Sequence, residues 1–133
     1  MLCLDTNIVI ALLARRDHRV AERFRAAVPL GVAIPIHVAS ELWYGVWNSA
    51  RVRENTERLA LFFNAPISVL PFDADDANET GRIRAHLKKA GTPIGPYDLL
   101  IAAQVRRRAS TLATLNAKEF AHVPGLVIDD WSK

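Results

Sequence analysis

The chain has 133 residues, half of them apolar, with 17 Lys and Arg against 14 Asp and Glu and a formal charge of +3; its pI is near 9.4 and its mean hydropathy +0.08. That is enough chain for one domain, residues 1–133, that buries its own core, while no apolar run approaches the roughly 20 residues that span a bilayer, and no basic segment precedes an apolar one at the start, so neither an anchor nor a secretory leader is expected. The mild positive balance permits a polyanionic partner without demanding one, and the single cysteine, Cys3, fits a small buried hydrophobe in a reducing cytoplasm.

Leu2, Cys3 and Leu4 make a continuous apolar run, which predicts a strand over 2–4 buried on both faces. The run ends abruptly in Asp5. Thr6 or Asn7 then serves as the cap of a helix over 8–13. Asp17 caps a second helix over 18–28, where Val20, Phe24 and Ala27 recur at helical spacing. Pro29, Leu30 and Gly31 break the chain, and a second strand covers 32–34, closed by Pro35.

A helix is predicted over 38–50, with Glu41 in its first turn and Leu42, Val46 and Ser49 on one stripe. Trp43, Tyr44 and Trp47 are read as core or dimer contacts rather than base-stacking platforms, because helical spacing favours packing. A more polar helix follows over 52–64 with Leu59, Phe62 and Phe63 inward, then a third strand over 67–70. Asp73 caps a helix over 74–90, in which Ile83 and Leu87 point inward and Ala77 and Gly81 leave room for a close helix contact. Asp75, Asp76 and Glu79 crowd the same helix start and are read as dipole partners. Residues 91–96 are dense in Gly and Pro. Pro96 suits the first helical position, and a helix over 97–107 follows with Leu100, Ile101 and Val105 inward. A fourth strand over 110–114, a short helix over 116–120 and a fifth strand over 126–128 complete the chain.

Strands alternate with helices throughout. The pattern predicts an α/β fold: a three-layer sandwich with a central parallel sheet of four to five strands and helices on both faces. In such a sheet the strand C-termini and the following helix N-termini share one edge. Asp5, Glu41 and Asp98 all stand just after a strand or in a first helical turn, so they should meet there. Each has a plain alternative as a cap or dipole partner. Together they are harder to dismiss, because Glu41 precedes Leu42-Trp43-Tyr44-Gly45 and Asp98 precedes Leu99-Leu100-Ile101-Ala102-Ala103. Charges beside buried surface are costly unless paired or metal-bound. Three hard oxygen donors without a paired His or Cys suit Mg²⁺ or Mn²⁺ better than Zn²⁺. Phosphodiester hydrolysis is the chemistry such a site serves.

The sequence resembles the PIN-domain ribonucleases, and within them the VapC-type toxins of bacterial toxin–antitoxin pairs. The resemblance rests on Leu4-Asp5-Thr6-Asn7, on Glu41 to Gly45, on Gly91-Thr92-Pro93-Ile94-Gly95-Pro96-Tyr97-Asp98, and on Thr114 to Phe120 with Val123-Pro124-Gly125-Leu126, in the family's order over essentially the whole chain. It implies a PIN fold and Mg²⁺- or Mn²⁺-dependent endonucleolytic cleavage of RNA, tRNA among the targets, with inhibition of translation. It also implies a homodimer and control by a VapB-type antitoxin. The family's catalytic acids carry over to Asp5, Glu41 and Asp98, which would hold the metal. One position departs: many PIN domains have a further acid where this chain has Asn116. Asn116 can orient a water or a ligand, and Glu119, three residues on, can supply the missing charge. A one-metal site is favoured over two.

Asn116 also motivates the main alternative, a catalytically impaired PIN module that binds RNA or a partner without turnover. A phosphatase-like domain using Asp5 as a nucleophile would not need Glu41. A dinucleotide-binding domain is disfavoured, since no Gly-rich loop follows the first strand. The four histidines are scattered and weak catalytic candidates. The arginines read as solvated helix faces, with Arg82, Arg84, Lys88 and Lys89 placed to hold RNA phosphates.

Overall fold

A computed structural model describes residues 1–133. Five strands form the core: β1 (Leu2–Leu4), β2 (Val32–Pro35), β3 (Ile67–Leu70), β4 (Thr111–Thr114) and β5 (Val127–Asp130). All pairs are parallel and the order is β3-β2-β1-β4-β5. Parallel strands need crossovers, and helices supply them. Between β1 and β2 run α1 (Thr6–Ala14), α2 (His18–Ala27) and a one-turn 3-10 helix (Val28–Leu30). Between β2 and β3 run α3 (Ile36–Trp47) and α4 (Val52–Phe63). Between β3 and β4 run α5 (Ala74–Ala90) and α6 (Pro96–Arg107), and α7 (Ala117–Phe120) leads to β5.

The strand order reverses at β1. From β1 the chain steps to β2 and β3, then crosses back to β4 and β5 on the other side. Right-handed crossovers therefore put α1 to α4 on one face and α5 to α7 on the other. Helices α1 to α4 contact one another, α5 packs along α6, and α3 approaches α6. The crevice at such a reversal lies beyond the C-terminal ends of the central strands. Here those ends carry Asp5 and Thr114.

Burial follows the pattern of a doubly covered sheet. Cys3, Leu4, Ala33, Ile34, Leu112 and Ala113 have no solvent exposure. Ile8, Val9, Leu59, Ile83, Leu87, Ile101 and Phe120 close the core from the helices. Each large side chain fully buried here contributes about 2 kcal/mol. Burial pushes the Cys3 thiol up to about 11, which keeps it protonated and inert.

The sequence places α5 to the residue, because both of its ends are coded. Asp73 and Asp76 form a reciprocal capping box, and Gly91 adopts φ 73 at the C-cap, where the Thr92 N–H reaches the Leu87 carbonyl. Other boundaries move. Helix α1 begins at Thr6, and its cap is Asp5, as the plain alternative for that residue had it, rather than Thr6 or Asn7. Helix α3 begins at Ile36, directly after Pro35, so Glu41 lies in its second turn and not its first. Trp43 is partly buried and stacks on Phe63 at 6.2 Å, whereas Tyr44 and Trp47 are exposed and pack in no core. Gly81 faces open space, so the close helix contact read there does not exist. The last strand extends through Asp129 and Asp130; an edge strand tolerates the charges at its open margin. No helix is long and apolar enough to cross a membrane.

Candidate active site

Asp5 continues the sheet by one residue, its N–H donating to the Ala113 carbonyl. Its side chain is buried and doubly held: Oδ1 accepts from the Thr6 N–H at 2.8 Å and Oδ2 accepts from the Thr114 hydroxyl at 2.9 Å. The Thr114 hydroxyl in turn accepts from the Asn116 N–H at 2.9 Å. Capping and site formation are therefore the same act. Burial raises the Asp5 carboxyl above its ordinary range; the bonds from Thr114 and Thr6 oppose this, and Glu41 and Glu119 add repulsion.

Glu41 reaches the same place from α3. The Thr6 hydroxyl donates to its Oε1 at 2.7 Å, across 35 residues of chain. Asp98 arrives in the first turn of α6, just after Pro96. Burial pushes its carboxyl up, and Asp5, Glu119 and Glu41 push it further, to about 7. Glu119 stands behind: its Oε1 accepts from the Gly95 N–H at 3.2 Å and its Oε2 from the Asn116 amide at 2.7 Å. Asp5, Thr6, Asn7, Glu41, Asp98 and Asn116 line one pocket of about 640 Å³.

Over residues 2–126 the chain matches the family model of the PIN domain. The chain belongs to the PIN-domain family. Across 129 residues it is 38% identical to the tRNA(fMet)-specific endonuclease VapC of Shigella flexneri, spanning 97% of this chain and 96% of that one. It is 35% identical over 128 residues to the protein of the same description from Salmonella typhimurium, with 96% of both chains covered. Its structure is similar to a chain of the VapBC2 complex of Rickettsia felis bound to a promoter DNA fragment, at TM-score 0.93 and 30% identity over 98% of each chain. It is similar also to DNA-bound VapBC from Salmonella typhimurium, at TM-score 0.89 and 35% identity, over 98% of this chain and 97% of that one.

The PIN pocket offers oxygen donors alone, the set that suits a hard divalent cation. Asp5, Glu41 and Asp98 are the residues that could hold one. The three acids line the pocket without closing into a ready-made ligand cage. The mutual repulsion that lifts Asp98 is what a cation would relieve.

In this PIN domain Thr114 is the site residue that sequence reading missed. It looks like a strand end until β4 is known to lie beside β1, with Leu4 opposite Ala113. The histidines stay outside: none lines the acid pocket. His37 is wedged against Phe72 and Tyr97, with its Nε2 buried and unpartnered, and burial holds it below its ordinary pKa. Among the cations read as phosphate ligands, Arg82 pairs with Glu79 at 3.6 Å, while Arg84 and Lys88 line a separate cavity of about 500 Å³ beside Pro96 and Leu99.

The acid pocket has a signature in stability. Asp98 holds its proton in the folded protein to about pH 7 but ionises near its ordinary value once unfolded. A raised folded-state pKa contributes stability that is present below the ordinary value near 4 and lost as pH rises towards about 7. Thermal melts in EDTA are expected to show Tm falling between pH 5 and 7.5, and Asp98→Asn should flatten that slope. An unchanged slope in the variant would remove Asp98 as its source.

Proposed function

We propose that this PIN domain is a VapC-type toxin: a Mg²⁺- or Mn²⁺-dependent endoribonuclease that hydrolyses RNA phosphodiester bonds, tRNA among them, and thereby inhibits translation in the cytoplasm. A VapB-type antitoxin as its partner and a homodimer as its working form belong to the same proposal. The observation that carries it is the convergence of Asp5, Glu41 and Asp98 from three separate elements on one pocket of a PIN-family chain. The named relatives and the VapBC neighbours support the same reading.

Asp5, Glu41 and Asp98 would hold the ion, which when bound supplies positive charge for the phosphoryl oxygens and acidifies water. The chain's own work is orientation. The Thr6 N–H and Thr114 hydroxyl fix both Asp5 oxygens, and the Thr6 hydroxyl fixes one oxygen of Glu41. Asn116 and the Gly95 N–H hold the two oxygens of Glu119, whose charge is felt at Asp5 and Asp98. Glu119 thus brings to the site the charge that Asn116 lacks, which favours an active enzyme over an impaired module.

Purified protein, free of antitoxin, is expected to cut total RNA into discrete fragments in Mn²⁺, and to cut nothing in EDTA or as Asp98→Asn. RNA binding without turnover in saturating Mn²⁺ would favour the impaired module. Asn116→Asp should then restore cleavage.

A further inference from the structure

Two exposed tyrosines stand at the rim of the acid pocket, and the hydrolytic chemistry leaves them without a role. Tyr44 follows Glu41 by three residues on α3 and is 68% exposed; Tyr97 precedes Asp98 on α6 and is 48% exposed. Both line the pocket that holds Asp5, Glu41 and Asp98. They come from separate helices, so an aromatic face is available beside the acids on two elements. Tyr97 is braced from behind. The His37 ring meets it at 6.3 Å and 62°, and His37 is itself edge-on to Phe72 at 5.0 Å. A ring held this way loses little freedom when a second ring lies on it.

The pocket also continues. Ile10, Glu41 and Gly45 line both it and an adjoining cavity that runs along α1, α3 and α4 to Asn55 and Arg58. The track therefore passes from an aromatic rim over a carboxylate floor to a cation. That is the order a nucleic acid strand needs: a stacked base, a phosphate at the metal site, and a further phosphate at an arginine. The carboxylates would attract a cationic peptide that Arg58 repels, so charge alone does not choose the occupant; the phosphodiester cleavage proposed above does, because it requires RNA in this pocket.

We propose that Tyr44 and Tyr97 stack on the nucleobases flanking the scissile phosphate and so confine cleavage to unpaired nucleotides. Bases inside a duplex are stacked on both faces and offer nothing to the tyrosines, whereas loop and single-stranded bases can be splayed out. The inference rests on the ribonuclease reading above. Phenylalanine should replace either tyrosine, because stacking uses the ring and not the hydroxyl.

The test separates stacking from catalysis. Full-length protein carrying Asp5→Asn, which does not turn over, is titrated in Mg²⁺ with a short single-stranded RNA containing 2-aminopurine, whose fluorescence is quenched by stacking. Adding Tyr97→Ala or Tyr44→Ala is expected to abolish part of the quench and weaken binding roughly ten-fold each. Tyr→Phe at either position should restore both, and the same RNA annealed to its complement should show neither. In the active protein, Tyr→Ala should raise KM more than it lowers kcat. Alanine variants with unchanged quench and KM would overturn the proposal while leaving the nuclease intact. A wild type that cuts no RNA would instead overturn the enzymatic reading, and the quench would still judge the tyrosines. Loss in Tyr→Phe equal to that in Tyr→Ala would assign the hydroxyls and overturn stacking. Alanine variants that lose an arginine-rich peptide but keep the quench would assign the rim to a protein partner, and would overturn it too.

Discussion

Replacing Asp5 by asparagine is expected to lower RNA cleavage by about three orders of magnitude or more while leaving the fold intact. The two halves of that result have separate causes. Activity falls because the amide carries no charge to hold a divalent ion, and a factor of 10³ corresponds to about 4 kcal/mol of lost transition-state stabilisation. The fold survives because both contacts of the carboxylate have an amide equivalent. The substituted side chain's oxygen can still accept from the Thr6 N–H, and its NH₂ can donate to the Thr114 hydroxyl in place of the bond that hydroxyl now gives. Asparagine is also a good helix cap, so α1 keeps its start. A buried carboxylate whose pKa is raised weighs against folding at neutral pH. Asp5→Asn in EDTA at pH 7.5 should therefore melt at or above the wild-type temperature. Adding Mn²⁺ should raise Tm in the wild type and less in the variant. Wild-type cleavage by Asp5→Asn would remove Asp5 from the catalytic set. Loss of activity together with loss of fold would make its role structural.

Asp5 was legible in the sequence for the reason that makes it vulnerable: an apolar run of three residues stops at an acid, and only a strand delivering a side chain to an edge reads that way. Asp98 was equally plain, framed by Pro96 and an apolar helix. Glu41 was found for a reason that does not hold. The sequence pattern puts it in a first turn, near the helix dipole, but α3 starts at Ile36 because Pro35 already has the extended backbone of a cap. What positions Glu41 is the Thr6 hydroxyl, a contact across 35 residues that depends on how α1 lies against α3. Local pattern fixes where elements begin and which face is apolar. It does not fix which strands are neighbours, so Thr114 stayed hidden until β4 fell beside β1. Nor does it fix which helix surface stays bare. The helical spacing of Tyr44 and Trp47 reads as core or dimer packing, and the core half of that reading fails, since no element of this chain covers them.

The largest stability effect is expected far from the pocket, at Asp76. The sequence made it one of several acids at a helix start. In the fold its side chain is fully buried between α5 and α6. Its Oδ1 accepts from Arg107 Nε at 2.6 Å and Arg108 Nη1 at 2.9 Å, and its Oδ2 from the Asp73 N–H at 2.9 Å. The run Arg106–Arg108, read as solvated, is thus drawn inward, with Arg106 on Glu79 at 3.1 Å and Arg107 also on Asp73 at 2.8 Å. Burial alone would raise the Asp76 carboxyl, but the bonds from Arg108 and Arg107 outweigh it and hold it down at about 2. Asp76→Asn leaves two guanidiniums without their shared charge. Breaking a buried pair from one side costs some 3–5 kcal/mol, and the arginines' access to solvent lowers this to about 3 kcal/mol, a fall of roughly 10 °C in Tm. The sign with pH follows from a depressed folded-state value: the contribution is complete above the ordinary carboxylate pKa near 4 and is lost as pH falls towards 2. Urea melts should separate wild type and variant fully at pH 7, narrow the gap as pH falls below about 4, and close it only near pH 2 and below. Because this network ties α5 to the C-terminal end of α6, while Asp98 sits at the other end, the folded variant at low temperature should cleave RNA at close to the wild-type kcat. A variant that loses kcat while still folded would mean that the network also sets the position of Asp98. A gap between the two proteins that persists unchanged to pH 2.5 would show that the arginines are not what holds Asp76 ionised.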